Sequence, residues 1–185
     1  MKQAISGTVL YLILIIPPVV SFLESMMILH MLVQLPLLIL SGWLIGKVMI
    51  TKYKSLFNKW NKDGVPGIML VVFITIYWML PRSLDEALTI TVVELFKFVS
   101  LPLLVGISLR DSWGKLQSLG KSFIYLNYLS MFGFMAWLYI DTPIQICNNY
   151  LEIQQRVLGW GFLVLTAAMA LYIIQMVFTD HSEST

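Results

Sequence analysis

Six long apolar runs, separated by short polar segments, dominate the pattern of this chain. They lie at about Ile5–Leu23, Ser25–Gly46, Gly67–Leu84, Ala87–Leu109, Ser122–Ile140 and Val157–Phe178. A helix needs roughly 20 predominantly apolar residues to cross a bilayer, and a helix satisfies its own backbone polar groups there. The pattern therefore predicts an all-α fold, a polytopic membrane helix bundle with six transmembrane helices. We expect residues 1–185 to form a single transmembrane helical bundle.

Composition supports this class. Hydrophobic residues make up 58% of the chain and charged residues only 12%, whereas soluble domains have about 25% charged residues. The mean hydropathy is +0.82. The lone cysteine, Cys147, excludes an intrachain disulfide and a Cys-x-x-Cys motif. No nucleophile–base pair, phosphate loop or paired-histidine haem pattern is present, so we expect that the protein is not an enzyme.

Prolines predict bends in the spans, because proline removes a backbone donor and clashes with the preceding turn. Pro17-Pro18 should bend or break the first span. That span starts like a signal peptide, but no small-x-small cleavage site follows, and we expect it to be retained. Leu35-Pro36-Leu37-Leu38 recurs as Leu101-Pro102-Leu103-Leu104. The repetition is either a structural repeat or a coincidence in a Leu-rich chain.

The basic residues predict the orientation of the bundle, since Lys and Arg are enriched in short cytoplasmic loops. With the N-terminus inside, nine of the twelve Lys and Arg residues fall on the inner side. Only Arg82 and Arg156 fall outside, and Lys97 lies within a span. Both termini are therefore predicted to be cytoplasmic, in a multi-pass protein of the inner (plasma) membrane.

A polar stripe marks the outer half of the second span. Steps of three and four relate Glu24, Met27, His30, Met31 and Gln34, so their side chains share one helical face. His30 lies about 9 Å deep at 1.5 Å per residue. Polar groups at membrane depth usually face a protein interior, a cavity or a ligand.

The stripe predicts a metal site. Thioether and imidazole ligands suit Cu(I), and imidazole with carboxylate suits Cu(II) or Zn. Glu94 lies at about the same depth in the fourth span and is placed to join His30 if the two spans are neighbours. We therefore name His30, Met27, Met31 and Glu94 as metal ligands, with copper as the cofactor. The alternative is that His30 is a hydrogen-bonded packing or subunit-contact residue.

Other polar residues have simpler interpretations. Glu94 and Lys97 are three residues apart on one helical face, which predicts a mutually neutralising pair. A proton or ion pathway would need polar groups across several spans, and the inner halves of these spans have almost none. Arg82, Asp85 and Glu86 are expected to form surface ion pairs or to contact a partner. Cys147 is either a thiolate ligand or a small apolar residue.

One stretch resembles a known family. The run Ser25-Met-Met-Ile-Leu-His30-Met31-Leu-Val-Gln34-Leu-Pro36-Leu-Leu resembles the His-Met segment of the CtaG-type cytochrome c oxidase assembly factors. Trp78-Met79-Leu80-Pro81, followed by Asp85-Glu86-Ala87, looks like their tryptophan-to-proline span end. The resemblance implies a multi-span protein linked to maturation of the oxidase copper site. His30 and Met31 match, whereas Gln34 replaces the family's second histidine.

These observations lead to one functional hypothesis and two alternatives. We expect a membrane accessory or assembly protein of a copper-containing respiratory oxidase-like complex, which aids copper insertion at an outer-leaflet site. Its partners would be other integral membrane subunits and the lipid bilayer, with no nucleic acid. The first alternative is a non-catalytic structural subunit that packs against a larger membrane enzyme. The second is a small transporter.

Overall fold

The chain folds into a bundle of helices. A computed structural model describes residues 2–142 and 145–182, with side chains described as far as 178, and these residues form nine helices and no β-strand. In chain order the helices are α1 (Lys2–Leu14), α2 (Pro17–Glu24), α3 (Met27–Lys52), α4 (Lys54–Trp60), α5 (Val65–Met79), α6 (Pro81–Thr89), α7 (Thr91–Trp113), α8 (Ser118–Asp141) and α9 (Glu152–Ser182). The all-α prediction is confirmed.

The number of membrane crossings lies between four and six. Helices α3, α7, α8 and α9 are each long and apolar enough to cross a bilayer. Two bent pairs pass the same test together, α1 with α2 at 72° and α4 with α5 at 84°. The break between α1 and α2 lies before Pro17, as its proline pair predicts. The count of six and the cytoplasmic position of both termini stay predictions.

The region around Pro81 differs from the predicted spans. Helix α5 ends at Met79, and Leu80 is extended with ψ 131°, because a residue before proline disfavours the helical conformation. Residues 81–89 then form the separate helix α6, which ends at the extended Ile90. The predicted span boundaries at Leu84 and Ala87 are therefore wrong. Leu84 and Ala87 lie within α6, and both side chains are buried.

The lysine-rich segment between the second and third predicted spans is mostly helical. Helix α3 continues to Lys52, and the short helix α4 follows at once. The chain then turns into α5 through Gly64, whose φ of +77° lies in the left-handed region that glycine tolerates best. A Cβ on Gly64 would lie 2.8 Å from the Ser112 carbonyl oxygen. This turn packs directly against the end of α7.

The second copy of the repeated Leu-Pro-Leu-Leu motif lies at a close helix crossing. A π-helical stretch at His30–Gln34 precedes Pro36 in α3, and another at Ser100–Ile107 surrounds Pro102 in α7. Such wide turns accommodate irregular backbone hydrogen bonding and often occur at functional sites. The two helices cross where a Cβ on Gly42 would lie 1.9 Å from the Pro102 carbonyl oxygen. The second copy of the motif, through Pro102, thus lies in the interface between α3 and α7.

The remaining long helices pack as a pair with apolar outer faces. Helices α8 and α9 run along each other, and Phe162 of α9 stacks on Phe132 and Tyr139 of α8. Their outward residues include Trp137 at 60% and Leu171 at 67% exposure. Exposed apolar faces on long apolar helices are what a lipid solvent requires, so the protein is a membrane helix bundle.

Candidate functional site

A buried group of polar side chains lies where α2, α3, α7 and the segment before α9 meet. We call Glu24, His30, Gln34, Lys97 and Tyr150 the polar cluster. His30, Gln34 and Lys97 are fully buried, Tyr150 is 4% exposed, and the Glu24 side chain is 14% exposed. Buried polar groups are costly unless they find partners. The hydrogen bonds within the cluster therefore decide what it can do.

The hydrogen bonds define the tautomer of His30. The Tyr150 hydroxyl donates to the Glu24 carbonyl oxygen at 2.9 Å. Since a hydroxyl has one hydrogen, Tyr150 must accept at its 2.8 Å contact with His30 Nδ1. His30 thus carries its proton on Nδ1. In the neutral ring, Nε2 is left as an acceptor for Lys97 Nζ, which lies 3.4 Å away.

Lys97 occupies the centre of the polar cluster. Its ammonium group forms an ion pair with Glu24 Oε1 and lies 4.8 Å from the centroid of the Phe98 ring. Gln34 Nε2 donates to the same Glu24 oxygen at 3.4 Å. Glu24 rather than Glu94 is therefore the ion-pair partner of Lys97. The interpretation of Glu94 and Lys97 as a mutually neutralising pair needs this correction.

Glu94 lies beside the cluster in a surface groove. The groove has a volume of about 460 Å³ between α1, α2 and α7, and its lining includes Tyr11, Pro17, Glu24 and Glu94. Glu94 is half-buried and attracts Lys97 electrostatically. Two carboxylates thus face the groove, with the Lys97 ammonium behind Glu24. The structure does not bring Glu94 into hydrogen-bond contact with His30, whose described ring partners are Tyr150 and Lys97.

The two predicted sulfur ligands are buried close to His30 along α3. Met27 is 0% and Met31 1% exposed. The Tyr139 hydroxyl of α8 contacts the Met31 sulfur at 4.0 Å, so that thioether faces α8. Among residues 2–142 and 145–178, no group of three or more His, Cys, Asp and Glu side chains is arranged to hold a metal. A metal at His30 would therefore depend on thioether sulfur and on movement of Lys97.

The segment before α9 holds Tyr150 over the cluster. Asp85 of α6 accepts hydrogen bonds from the backbone N–H of Asn148 at 2.7 Å and of Asn149 at 3.4 Å. Gln145 Nε2 donates to the Tyr150 carbonyl oxygen at 2.6 Å. Asp85 thus organises this segment, while its neighbours Arg82 and Glu86 form the expected surface ion pair at 2.8 Å.

Cys147 in the same segment is buried and protonated. Its Sγ lies 4.0 Å from the Pro81 carbonyl oxygen, and the residue is 0% exposed. Burial raises the pKa of the thiol to about 12, and the negative charge of Asp85 adds to that rise. The thiolate is the form that binds metals and reacts as a nucleophile. The arrangement is that of a small apolar residue, the second of its two sequence interpretations.

Sequence reasoning misses two features of this polar chemistry. It does not single out Tyr150, since nothing in one sequence links that residue to a histidine far away along the chain. A second buried network lies at the basic end, where Asn61 donates to Asp111 at 2.6 Å and Lys115 donates to Asp111 at 2.8 Å. Asn61 Oδ1 also accepts from the Gly67 N–H at 2.9 Å. These hydrogen bonds connect the turn before α5 to the end of α7.

Comparisons with known proteins yield no relative: no protein-family model, curated protein or solved structure matches this chain.

Proposed function

We propose that the protein is a membrane accessory or assembly protein, not an enzyme, of a copper-containing respiratory oxidase-like complex in the inner (plasma) membrane. In this proposal copper is its cargo, received at an outer-leaflet pocket centred on His30 and passed to a partner subunit. The resemblance of the Ser25–Gln34 run to oxidase assembly factors supports the partner. The geometry of the polar cluster supports the pocket.

One observation carries the proposal: the polar cluster already holds a cation. The ammonium of Lys97 lies between an imidazole nitrogen of His30 and a carboxylate oxygen of Glu24. Histidines that bind metals usually donate their second ring N–H to a neighbouring group, which fixes the ring. His30 does this through Nδ1 and Tyr150, so Nε2 is the atom offered to a cation.

The donor set suits copper if Lys97 withdraws. Thioethers and imidazole favour Cu(I) over harder cations, and Met27 and Met31 lie three residues before and one after His30 on the same buried helix segment. Glu94 lies one helical turn before Lys97 and attracts it, so it offers the displaced ammonium a second carboxylate. The groove lined by Glu24 and Glu94 gives a cation a route to the cluster.

A second function, that of a non-catalytic structural subunit, has its own support. Nearly every polar atom of the cluster has a protein partner, and only Gln34 Oε1 among its described side-chain atoms is buried without one. A network satisfied to that degree holds helices together without any ligand. On this alternative, the cluster fixes the shape of the surface that meets a larger membrane enzyme.

Metal analysis separates the two functions. Protein extracted in mild detergent without chelator is analysed for copper and zinc as the wild type, His30→Ala and Lys97→Met, with His181→Ala as the matched control at the second histidine. The proposal predicts near-stoichiometric copper in the wild type and in His181→Ala, and its loss in His30→Ala. Lys97→Met should retain copper or gain it, because the competing ammonium is gone.

Folding is checked by size-exclusion profile and helical circular dichroism on each variant. Absence of copper from folded wild type that still carries its partner subunits would reject the cargo proposal and favour the structural subunit. Copper retained in folded His30→Ala would reject the His30 site. If Lys97→Met does not fold, the comparison of His30→Ala with His181→Ala still tests whether His30 binds copper.

A further inference from the structure

A cleft opens between α5 and α8 at the basic end of the bundle, at the end of α7 away from the polar cluster. Its volume is about 870 Å³. The walls are mainly apolar, and four of the wall residues are notably exposed: Met69 at 38%, Val65 and Phe123 at 52%, and Leu119 at 82%. The cleft is open between two neighbouring helices, and its apolar walls suit an acyl chain that lies between those helices.

The mouth of the cleft lies at the lysine-rich end of the bundle. Lys62 and Lys115 both line it. Lys62 is exposed and takes part in no ion pair among the described residues, whereas Lys115 shares its charge with Asp111 at 2.8 Å. Asp63 on the same rim is the acidic exception. With Lys115 neutralised by Asp111, Lys62 is the cation at the rim that is free to meet an anion, beside the carboxylate of Asp63.

Two helix N-termini add to the positive charge of Lys62. Helices α5 and α8 both begin at the cleft, and neither Gly64 nor Gln117, their N-cap residues, makes a side-chain capping hydrogen bond. Neither first turn holds an acidic residue. The N-terminus of α8 presents the backbone N–H groups of its first turn, whereas the Gly67 N–H of α5 already donates to Asn61 Oδ1. Each N-terminus carries a partial positive charge of about half a unit, which favours a bound anion. An anionic group at the mouth would thus meet charge from both helices and from Lys62.

We propose that this cleft binds an acidic phospholipid, with its phosphate at Lys62 and the two helix N-termini and an acyl chain along Met69, Leu119 and Phe123. Basic pockets between membrane helices at the cytoplasmic side are suited to anionic headgroups. The charge distribution predicts that this end of the bundle faces the cytoplasm. The site is independent of the copper proposal, since no residue of the polar cluster lines the cleft.

The test measures lipid retention by the full-length protein. It is reconstituted in nanodiscs of phosphatidylcholine with phosphatidylglycerol of the same acyl chains, then released in mild detergent, and bound lipid is counted by native mass spectrometry. Wild type should retain phosphatidylglycerol in preference to phosphatidylcholine. Lys62→Gln should lower that preference about fivefold, the effect of one cation near an anionic headgroup. Asp63→Asn should raise it.

Lys59→Gln is the matched control, because Lys59 is an exposed lysine of the neighbouring helix α4 that does not line the cleft. It should leave the preference unchanged. An equal loss of lipid preference in Lys59→Gln and Lys62→Gln would show that the preference comes from general surface electrostatics and not from the cleft. No preference for phosphatidylglycerol in the wild type, or a protein chain rather than lipid bound at the cleft, would overturn the proposal.

Discussion

His30 Nδ1 and the Tyr150 hydroxyl lie 2.8 Å apart, although the two residues are 120 positions apart in the chain. The same hydroxyl donates to the Glu24 carbonyl oxygen at 2.9 Å. Tyr150 therefore joins the segment before α9 to α2 and to the π-helical turn of α3. One oxygen atom fixes both the tautomer of His30 and the position of the helix end that carries Glu24.

Removal of that hydroxyl should destabilise the protein. Tyr150→Phe keeps the ring but leaves the His30 Nδ1–H and the Glu24 carbonyl without their partner. An unsatisfied buried polar group costs about 1–3 kcal/mol, and we expect a loss of that order in the free energy of unfolding. The measurement is SDS-titrated or thermal unfolding in detergent. Tyr53→Phe, at a residue 45% exposed, should change little, and equal losses in both variants would contradict the role of Tyr150.

The sequence is sufficient to predict the class of fold because the signal lies in long apolar runs. Hydropathy identifies such runs whatever the tertiary packing is. Hydropathy cannot show that the chain divides at Pro81 into α5 and α6. Leu84 and Ala87, the predicted span boundaries, lie within the short packed helix α6. The break itself follows from Pro81, which keeps Leu80 extended, whereas the burial of Leu84 and Ala87 depends on tertiary contacts.

The candidate site is predictable only in part, for a related reason. Spacing predicts that Glu24, His30 and Gln34 come together on one helical face. They do come together, but Glu24 ends α2, Met26 is extended, and His30 and Gln34 lie on the π-helical turn of α3. Spacing also suggests that Lys97 pairs with Glu94, three residues away. The tertiary arrangement instead places α2 beside α7 and gives Lys97 the carboxylate of Glu24. A partner on another helix has no signature in a single sequence.

The close crossing of α3 and α7 makes a second prediction. A Cβ at Gly42 would lie 1.9 Å from the Pro102 carbonyl oxygen, a backbone atom that cannot move alone. Gly42→Ala should force the helices apart and lower the free energy of unfolding by about 1–3 kcal/mol or more. Gly114→Ala is the control, because a Cβ added at Gly114 would have no neighbouring atom within 4 Å. Unfolding curves that coincide for the two variants would refute this crossing.

The burial of Cys147 predicts how fast its thiol reacts with maleimide at a given pH. Burial, and next the charge of Asp85, raise the pKa of its thiol from 9.0 to about 12. At pH 8 the thiolate fraction is therefore about a thousandfold below that of the unfolded chain. Maleimide should label the native protein very slowly at pH 8 and the SDS-unfolded protein fast. Because Cys147 is the lone cysteine, mass spectrometry after timed quenching measures its labelling directly. Rapid labelling of the native protein would contradict the buried thiol.

The same shift makes a prediction about stability. The unfolded thiol loses its proton near pH 9, and the folded one only near pH 12. Between these values the unfolded chain gains a charge that the folded state disfavours. The contribution of Cys147 to stability is thus constant below pH 9 and falls as the pH rises toward 12. Cys147→Ala should unfold with a weaker pH dependence than the wild type across that range, and parallel curves would contradict it.

The ion pair of Glu24 and Lys97 makes the last prediction. Removal of one partner of a buried pair leaves an unpaired charge and costs about 3–5 kcal/mol, whereas replacement of both can be nearly neutral. Glu24→Gln and Lys97→Met should each destabilise strongly, and the double variant should recover much of the loss. Glu94→Gln should cost less than either, because Glu94 is half-buried and attracts Lys97 without a direct ion pair. A double-mutant cycle of unfolding free energies measures the coupling. A coupling between Lys97 and Glu94 that exceeds the one between Lys97 and Glu24 would show that the ammonium resides at the groove, as in the copper-bound state of the proposed pocket.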